Sequence, residues 1–442
     1  MDTFFNPQGV AVVGASSSPG KIGYEVLSNI LASGVAAYPV NPRAERILGR
    51  TCYPSVSAIP EPVDLAAVAV PADALLEVVE DCGRAGVRAM VVISGGFREV
   101  GREGLQQEMV ERAREQGIRI IGPNCIGVYN AATGFNTFFQ REMEMPPPGN
   151  VAILTQSGTI GIGLLEQFAA GAGVSKFVSY GNRADVDELD LLRYLDGDPD
   201  TEVMVLYMES IGQGRKFFEN LPGKPVVILK AGRTELGGRA ALSHTGAMAA
   251  NDAVFRGAAR QYGALLADSC DELYDMARFL ALQPLPEGGR VAMITNGAGP
   301  CVMAADAIQD SRFLTLSSVN EEGLREALPP QAICGNPVDL TGSATARHYL
   351  AGLQVLEDDP AVDIIMPFFV FQDAPLIDTL LQLYEGWADL HLTKPVVAVA
   401  MGGRYVDQQE KALLALDVPL VREPGRAVSA LNKIVGYAEW QT

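Results

Sequence analysis

Val10-Ala-Val-Val-Gly-Ala-Ser-Ser-Ser-Pro-Gly-Lys-Ile-Gly23 runs from a β-branched strand through a glycine-rich turn into a helical stretch. Glycine lets a backbone approach a phosphate closely. A helix starting behind such a turn offers unpaired N–H groups and the positive end of its dipole. This order opens a nucleotide-binding α/β sheet, and Lys21 adds one point charge to it. The same order is ordinary grammar in parallel sheets, so the next strand carries more information. It ends Tyr38-Pro-Val-Asn-Pro-Arg43, with no carboxylate. A NAD site places an acidic residue there to hold the ribose hydroxyls. A nucleotide without a free ribose diol fits better, with Arg43 as a candidate phosphate contact. Coenzyme A, with its 3′-phosphate, is one such ligand.

Working outward, the pattern repeats. Residues 10–13, 36–40, 65–70, 89–93 and 118–121 read as buried strands, with helical segments such as 24–33 and 74–85 between them. Strands alternating with helices at this spacing predict parallel sheets covered on both faces. Met145-Pro-Pro-Pro-Gly-Asn150 interrupts the pattern, because three prolines continue neither a helix nor a central strand. The alternation restarts at 151–154, 176–178, 203–206 and 226–229. It breaks again at Pro284-Leu-Pro-Glu-Gly-Gly289 and resumes at 291–295, 364–369, 396–399 and 418–421. The expected fold class is therefore α/β, in three consecutive domains over residues 1–145, 150–285 and 288–442. Ser94-Gly-Gly-Phe97 and Gly122-Pro-Asn-Cys-Ile-Gly127 follow strands of the first domain, on the edge where open parallel sheets bind ligands.

The chain has 442 residues and a formal net charge of −19. Such a chain repels nucleic acid and anionic membrane surfaces. The six cysteines are scattered, with no zinc-like spacing, and read as reduced thiols of a cytoplasmic protein. The N-terminus lacks the basic and apolar regions of a signal peptide, and no apolar run reaches the roughly 20 residues of a membrane span.

Of the three histidines, His348 and His391 have unremarkable neighbours, and no ligand-spaced partners predict a metal site. His244 differs. It lies in Ala240-Ala-Leu-Ser-His-Thr-Gly-Ala-Met-Ala249, which is expected to open a helix reaching about residue 262, capped by Ser243 or Thr245. Lys230-Ala-Gly-Arg-Thr-Glu-Leu-Gly-Gly-Arg239 before it reads as a loop. A helix start would keep the imidazole neutral and favour an anion attached to it. Gln156-Ser-Gly-Thr-Ile-Gly161 supplies a second helix start after a strand, and Tyr207-Met-Glu-Ser210 places Glu209 on the same edge. A carboxylate on one ring nitrogen makes the other a better nucleophile. Two helix starts facing a histidine would make a site for a phosphoryl group.

Together, Gly14-Ala-Ser…Pro-Gly-Lys21, Pro39-Val-Asn-Pro42, Gly122-Pro-Asn124, Gln156-Ser-Gly158, Asp185-Val-Asp-Glu-Leu-Asp190, Glu209-Ser-Ile211, Lys230-Ala-Gly-Arg-Thr234 and Ser243-His-Thr-Gly246 resemble the alpha subunit of ADP-forming acetyl-CoA synthetases, relatives of succinyl-CoA synthetase. The resemblance runs in order along essentially the whole chain. It implies a Rossmann-like CoA-binding domain followed by two flavodoxin-like CoA-ligase domains. It implies interconversion of carboxylic acid, CoA and ATP with acyl-CoA, ADP and phosphate, through an acyl phosphate and a phosphohistidine. His244 would carry the phosphoryl group and Glu209 would orient it. Gly14, Ala15, Ser16, Pro19, Lys21, Val40, Asn41, Pro42, Arg43, Ser94, Gly95 and Phe97 would contact CoA. Asn124, Gln156, Ser157, Gly158, Thr159, Thr245 and Gly246 would hold phosphate or the acyl end. Mg-ADP or Mg-ATP would sit on a separate ATP-grasp beta subunit, making the protein one half of a hetero-oligomer.

One stretch departs from the family pattern: Asn336-Pro-Val-Asp-Leu-Thr-Gly-Ser-Ala344 carries Ser343 where an aspartate is usual, after an unusual Cys334-Gly335. Two other readings compete. A CoA-binding regulator of the same fold would leave His244 idle, and an NAD dehydrogenase would need the acid missing from the second strand.

Overall fold

The computed structural model describes residues 1–245 and 251–442, with the side chains of 241–245 left aside. It divides into two compact units, Met1–Ala264 and Leu265–Thr442.

The first unit opens with five strands: β1 (Gly9–Val13), β2 (Ala36–Val40), β3 (Leu65–Val68), β4 (Ala89–Val92) and β5 (Arg119–Ile121). All pair in parallel, in the order β2-β1-β3-β4-β5. Their valine-, isoleucine- and alanine-rich runs are buried because helices cover a parallel sheet on both faces. The strand order reverses between β1 and β3, and a crevice opens at such a reversal. Two glycines shape its rim. Gly14 has φ +87°, and a Cβ there would lie 2.5 Å from the Ala69 carbonyl oxygen. A Cβ on Gly23, in helix α1 (Ile22–Ala32), would lie 2.0 Å from the Gly14 carbonyl oxygen, so only glycine lets α1 pack against the turn.

The second sheet contains β6 (Gly127–Asn130), β7 (Phe135–Asn136), β8 (Val151–Thr155), β9 (Lys176–Ser179), β10 (Val203–Met208) and β11 (Val226–Lys230). Within the unit they run β11-β10-β8-β9-β6-β7. The last four of the chain are parallel, as expected, but β6 joins β9 antiparallel and β7 joins β6 antiparallel. The stretch assigned by the proline break to the first domain thus completes the second sheet. The chain reverses at Gly122 and Asn124, both at positive φ, and β6 spans only four residues before an Ala-Ala-Thr-Gly turn. Such a strand carries little periodicity.

Asp185 fastens the two sheets of this unit. Its carboxylate accepts from Arg114 at 2.9 and 3.0 Å, from Arg119 at 2.8 Å and from the Ile120 backbone N–H at 2.9 Å. Asp190 takes the other arm of Arg119 at 2.6 Å. Asp187 caps the helix Glu188–Asp196, accepting from the N–H groups of Leu189 and Asp190 at 3.0 Å. The acidic motif is therefore a joint and a helix cap.

The second unit is built on Arg290–Thr295, with Val338–Asp339, Ile364–Phe368, Ala398–Val399 and Leu420–Val421 in one parallel sheet and Ile333–Cys334 antiparallel at its edge. The helix Cys270–Leu282, read from sequence as the end of the second domain, belongs here. Arg278 explains why: 2% exposed, it donates to Glu410 and to the Leu420 carbonyl, both at 2.6 Å. Asp275 beside it accepts from Arg426 at 2.6 Å. At the departing loop, Asn336 is anchored by three backbone hydrogen bonds, and the Ser343 hydroxyl meets that of Thr341 at 3.0 Å. Among the described residues, no helix is long and apolar enough to cross a membrane.

Both units place the same device at the end of a central strand, β8 in the first and Arg290–Thr295 in the second. Thr155 Oγ1 donates to the Ser157 carbonyl and accepts its N–H; Thr295 Oγ1 does the same with Gly297. Between them Gln156 and Asn296 each reach across to the loop after the neighbouring parallel strand.

Removing a buried carboxylate strands its cations and an N–H group, and Arg114 and Arg119 recover part of the loss through their exposure to water. Asp185→Ala should therefore destabilise the first unit by about 2–3 kcal/mol in urea unfolding, whereas Arg114→Ala should cost under about 1 kcal/mol.

Candidate functional site

The crevice at the β1/β3 reversal is a cleft of about 690 Å³ whose walls include Gly14, Val40, Asn41, Pro42, Arg43 and Val70. Asn41 sets its floor: its amide donates to the Ala15 carbonyl at 2.8 Å and its Oδ1 accepts the Arg43 N–H at 2.9 Å. Arg43 is exposed and, among the described residues, pairs with no carboxylate. Arg84 on the opposite wall was not picked out from sequence. It belongs to helix α2 (Leu75–Ala85) and is paired with Asp81 at 3.1 Å. A nucleotide with both apolar and phosphate parts fits this lining: Val13, Val40, Val70 and Pro71 for the one, Arg43 and the Gly14 turn for the other, with Glu77 and the Asp81–Arg84 pair on the remaining wall.

Not every expected contact gathers here. Ser16 and Lys21 stand on the turn, where the Ser16 hydroxyl accepts the Ser18 N–H at 3.1 Å. Pro19 lines a separate cavity of about 430 Å³ with Tyr24, Glu25 and Arg141. Ala15 is buried. Ser94 donates to the Val70 carbonyl at 2.5 Å, and Gly95 lies beside Asn124. Phe97 is 0% exposed in the core with Val68, Val92 and Met109, and its N–H donates to Glu99 at 3.1 Å. Its ring packs; it does not line a cleft.

A second, smaller cleft of about 30 Å³ is lined by Arg98, Asn124, Gln156, Gly181, Asn182, Glu209 and Ser210. It brings together three residues chosen from sequence and shows why they meet. Asn124, at φ +59°, leaves the turn after β5. Gln156 follows β8; its Oε1 accepts the N–H groups of Glu209 and Ser210 at 2.5 and 3.0 Å, and its amide donates to the Ser210 carbonyl at 3.2 Å. That pins the end of β10 and with it Glu209, which is buried and takes a hydrogen bond from Tyr207 Oη at 3.4 Å. Ser157 caps helix α3 (Gly158–Ala169), its Oγ accepting the Ile160 N–H at 3.4 Å, and Thr159 is exposed in the first turn. A Cβ on Gly158 would lie 2.8 Å from Ile126.

His244 does not open a helix. Its backbone lies inside α4 (Glu235–Thr245), away from the start of that helix. The two glycines at 237 and 238 suggested a loop, yet Thr234 Oγ1 accepts the Gly237 N–H at 3.1 Å as a cap, and Glu235 pairs with Arg239 four residues on at 2.6 Å. The argument from a positive helix end therefore does not apply to this backbone position. Among the described residues, the next helix is Asp252–Gln261, capped by Asn251. The side chains of His244 and Thr245, and Gly246 altogether, lie outside the described residues. Helix α4 does pass beside the turn Arg98–Val100, which carries one wall of the small cleft.

Sequence reasoning stopped one residue short of two participants. Glu99 accepts from the N–H groups of Gly96 and Phe97 and from the Asn182 amide at 2.5 Å. Burial opposes its charge, but these hydrogen bonds win and hold its carboxyl below the usual range. Arg98 turns into the cleft. The signal was a charged pair directly after Ser94-Gly-Gly-Phe97. Cys125, next to Asn124, is no nucleophile: burial pushes its thiol up to about 12.

A family model described as "CoA binding domain" matches residues 8–131, and one described as "Succinyl-CoA ligase like flavodoxin domain" matches residues 148–280. The chain is 40% identical to the acetate–CoA ligase [ADP-forming] II subunit alpha of Pyrococcus furiosus, over 99% of this chain and 98% of that one. It is also 40% identical to acetate–CoA ligase [ADP-forming] I of Archaeoglobus fulgidus, there over 64% of the relative's length. A solved acetyl-coenzyme A synthetase of Ca. Korarchaeum cryptofilum, in complex with phosphate and ADP, superposes with a TM-score of 0.90 at 38% identity, covering 99% of this chain and 97% of that one. The chain thus belongs to the alpha subunits of the ADP-forming acid–CoA ligases.

Gln156→Ala should leave two N–H groups without an acceptor and lower stability by about 2–4 kcal/mol in urea unfolding. Cys125 should stay unmodified by iodoacetamide at pH 8 in the native protein and react after denaturation, as read by mass spectrometry.

Proposed function

We propose that this chain carries the CoA and phosphohistidine chemistry of an ADP-forming acyl-CoA synthetase and works with an ATP-grasp beta subunit that binds Mg-ADP or Mg-ATP. The observation that carries the reading is the small cleft. It joins Asn124, from the CoA side of the first unit, to Gln156 and the buried carboxylate of Glu209 on the second sheet, with the helix bearing His244 alongside. Family membership supports the same roles.

In this reading the first sheet of the chain holds CoA in the 690 Å³ cleft. Arg43 meets a phosphate, and the Gly14 turn lets the backbone come close. His244 takes a phosphoryl group from ATP on the partner. Glu209 holds the ring so that one nitrogen stays available. The phosphoryl group passes to the substrate carboxylate, breaking the N–P bond and giving an acyl phosphate. The CoA thiolate then attacks the acyl carbon and expels phosphate. A water-poor cleft protects the acyl phosphate, and Gln156 holds Glu209 in place without itself reacting. The reaction runs equally in reverse, toward ATP. The free, mostly buried cysteines suit a cytoplasmic protein.

Incubation with labelled ATP and the cognate beta subunit should place acid-labile phosphate on His244, and His244→Ala should lose the label; a labelled His244→Ala would sink the assignment. Arg43→Ala should weaken CoA binding about tenfold by titration calorimetry, the equivalent of about 1.4 kcal/mol.

A further inference from the structure

We propose that Arg98 is the anion-binding residue of the small cleft, holding an oxyanion of the reacting group, either the phosphoryl oxygens or the carboxylate to which they are transferred. The proposal rests on the functional reading above and adds a residue that it does not use.

The argument begins with unmet hydrogen bonding. A guanidinium carries five N–H donors. Among the described residues, that of Arg98 makes one protein hydrogen bond, from Nη2 to the Asn182 carbonyl at 3.0 Å, and its Nε is buried without a partner. The neighbouring carboxylate does not serve it: Glu99 is occupied by Gly96, Phe97 and Asn182. The other arginine nearby is neutralised, since Arg183 meets Glu188 at 2.8 Å. Arg98 is thus a half-buried cation with no ion pair among the described residues, whereas the buried Arg278 meets two carboxylates and a carbonyl. Removing a cation from water is unfavourable, and burial, followed by the charge of Arg183, pulls the Arg98 guanidinium below its usual range against the upward pull of Glu103 and Glu99. An arriving anion would reverse that penalty.

Geometry narrows the ligand. The cleft of about 30 Å³ takes a group of a few atoms and no nucleotide. Its lining, which also includes Glu209, adds the amide of Asn124, whose contact to Asn182 Oδ1 is long at 3.4 Å, as a second donor for a planar or tetrahedral oxyanion. The turn carrying Arg98 lies against helix α4, so the bound group would sit next to the chain segment that bears His244. Asn182 holds the turn from below: its carbonyl takes Arg98, and its amide donates to Glu99 at 2.5 Å and Gln106 at 3.0 Å. The guanidinium is thereby set in place before any ligand arrives, so little of its side-chain entropy remains to be lost on binding.

The test compares wild type, Arg98→Gln and Arg98→Lys in the complex reconstituted with the beta subunit, with acyl-CoA-driven ATP formation read against phosphate and the reverse reaction read against acetate. Arg98→Gln should raise one of the two KM values by at least about tenfold while KM for CoA and for nucleotide stay within about twofold, and Arg98→Lys should recover part of the loss. A rise for phosphate alone assigns the phosphoryl end, and a rise for acetate alone assigns the carboxylate. Equal KM values for wild type and Arg98→Gln, or a fall in kcat alone with an altered melting temperature, would overturn the proposal and leave Arg98 a structural anchor of Asn182. If the wild-type complex is inactive, the functional reading fails separately. Titrating inorganic phosphate and acetate into the chain alone then decides the case, with binding of either by wild type and loss in Arg98→Gln expected, and identical behaviour excluding the assignment.

Discussion

The small cleft is built across two sheets that one buried carboxylate ties together. Asp185 collects Arg119 and a backbone N–H from the first sheet and Arg114 from the helix Glu103–Glu115 beside it, while its own segment follows a strand of the second. With the Asn182 contacts to Arg98, Glu99 and Gln106, that clamp brings Asn124 and Arg98 on one side to Gln156 and Glu209 on the other. The arrangement is local and cooperative. Asp187 caps the next helix, Asp190 shares Arg119, and Glu188 neutralises Arg183. A run that looks like a solvated acidic stretch is a set of four fixed contacts. A carboxylate with several donors is also directional, so it sets an orientation between two sheets more sharply than apolar packing alone.

Order within the cleft is then a matter of amide chemistry. Gln156 uses both ends of its side chain on the loop after the neighbouring strand, and Asn296 does the same in the second unit. A neutral amide gives and accepts at once and keeps its charge at every pH. That makes it a suitable support for the buried carboxylate of Glu209.

Much of this was legible in the sequence. The glycine turn after β1, the strand runs and the absence of an acid after β2 are local signals set by backbone sterics and by burial, and each appears where the pattern placed it. That Glu209 and Gln156 line one cleft follows from both sitting at strand ends, where a parallel sheet presents side chains. What could not be read depends on distance. The strands β6 and β7 are too short for a period, and their pairing with β9 is a tertiary choice. The end of the first unit at Ala264 rather than near residue 285 follows from Arg278 finding Glu410, a contact more than a hundred residues apart. The helix around His244 was hidden by two glycines that a cap and an ion pair outweigh. Phe97 was chosen for its neighbours and turned out to be core, while Arg98, one position on, faces the cleft.

The antiparallel strand β6 has a consequence for how such a chain could be rearranged. It is encoded with the first sheet yet closes the ladder of β9 in the second. Cutting the gene at the proline-rich segment, the natural place by composition, would divorce Lys176–Ser179 from its neighbour and leave a row of bare amides and carbonyls on an apolar strand. Recombination, splitting or transplantation of the nucleotide module would therefore succeed only with the overhanging hairpin carried along or replaced, and the border between modules runs through the hydrogen-bond ladder and not through the linker.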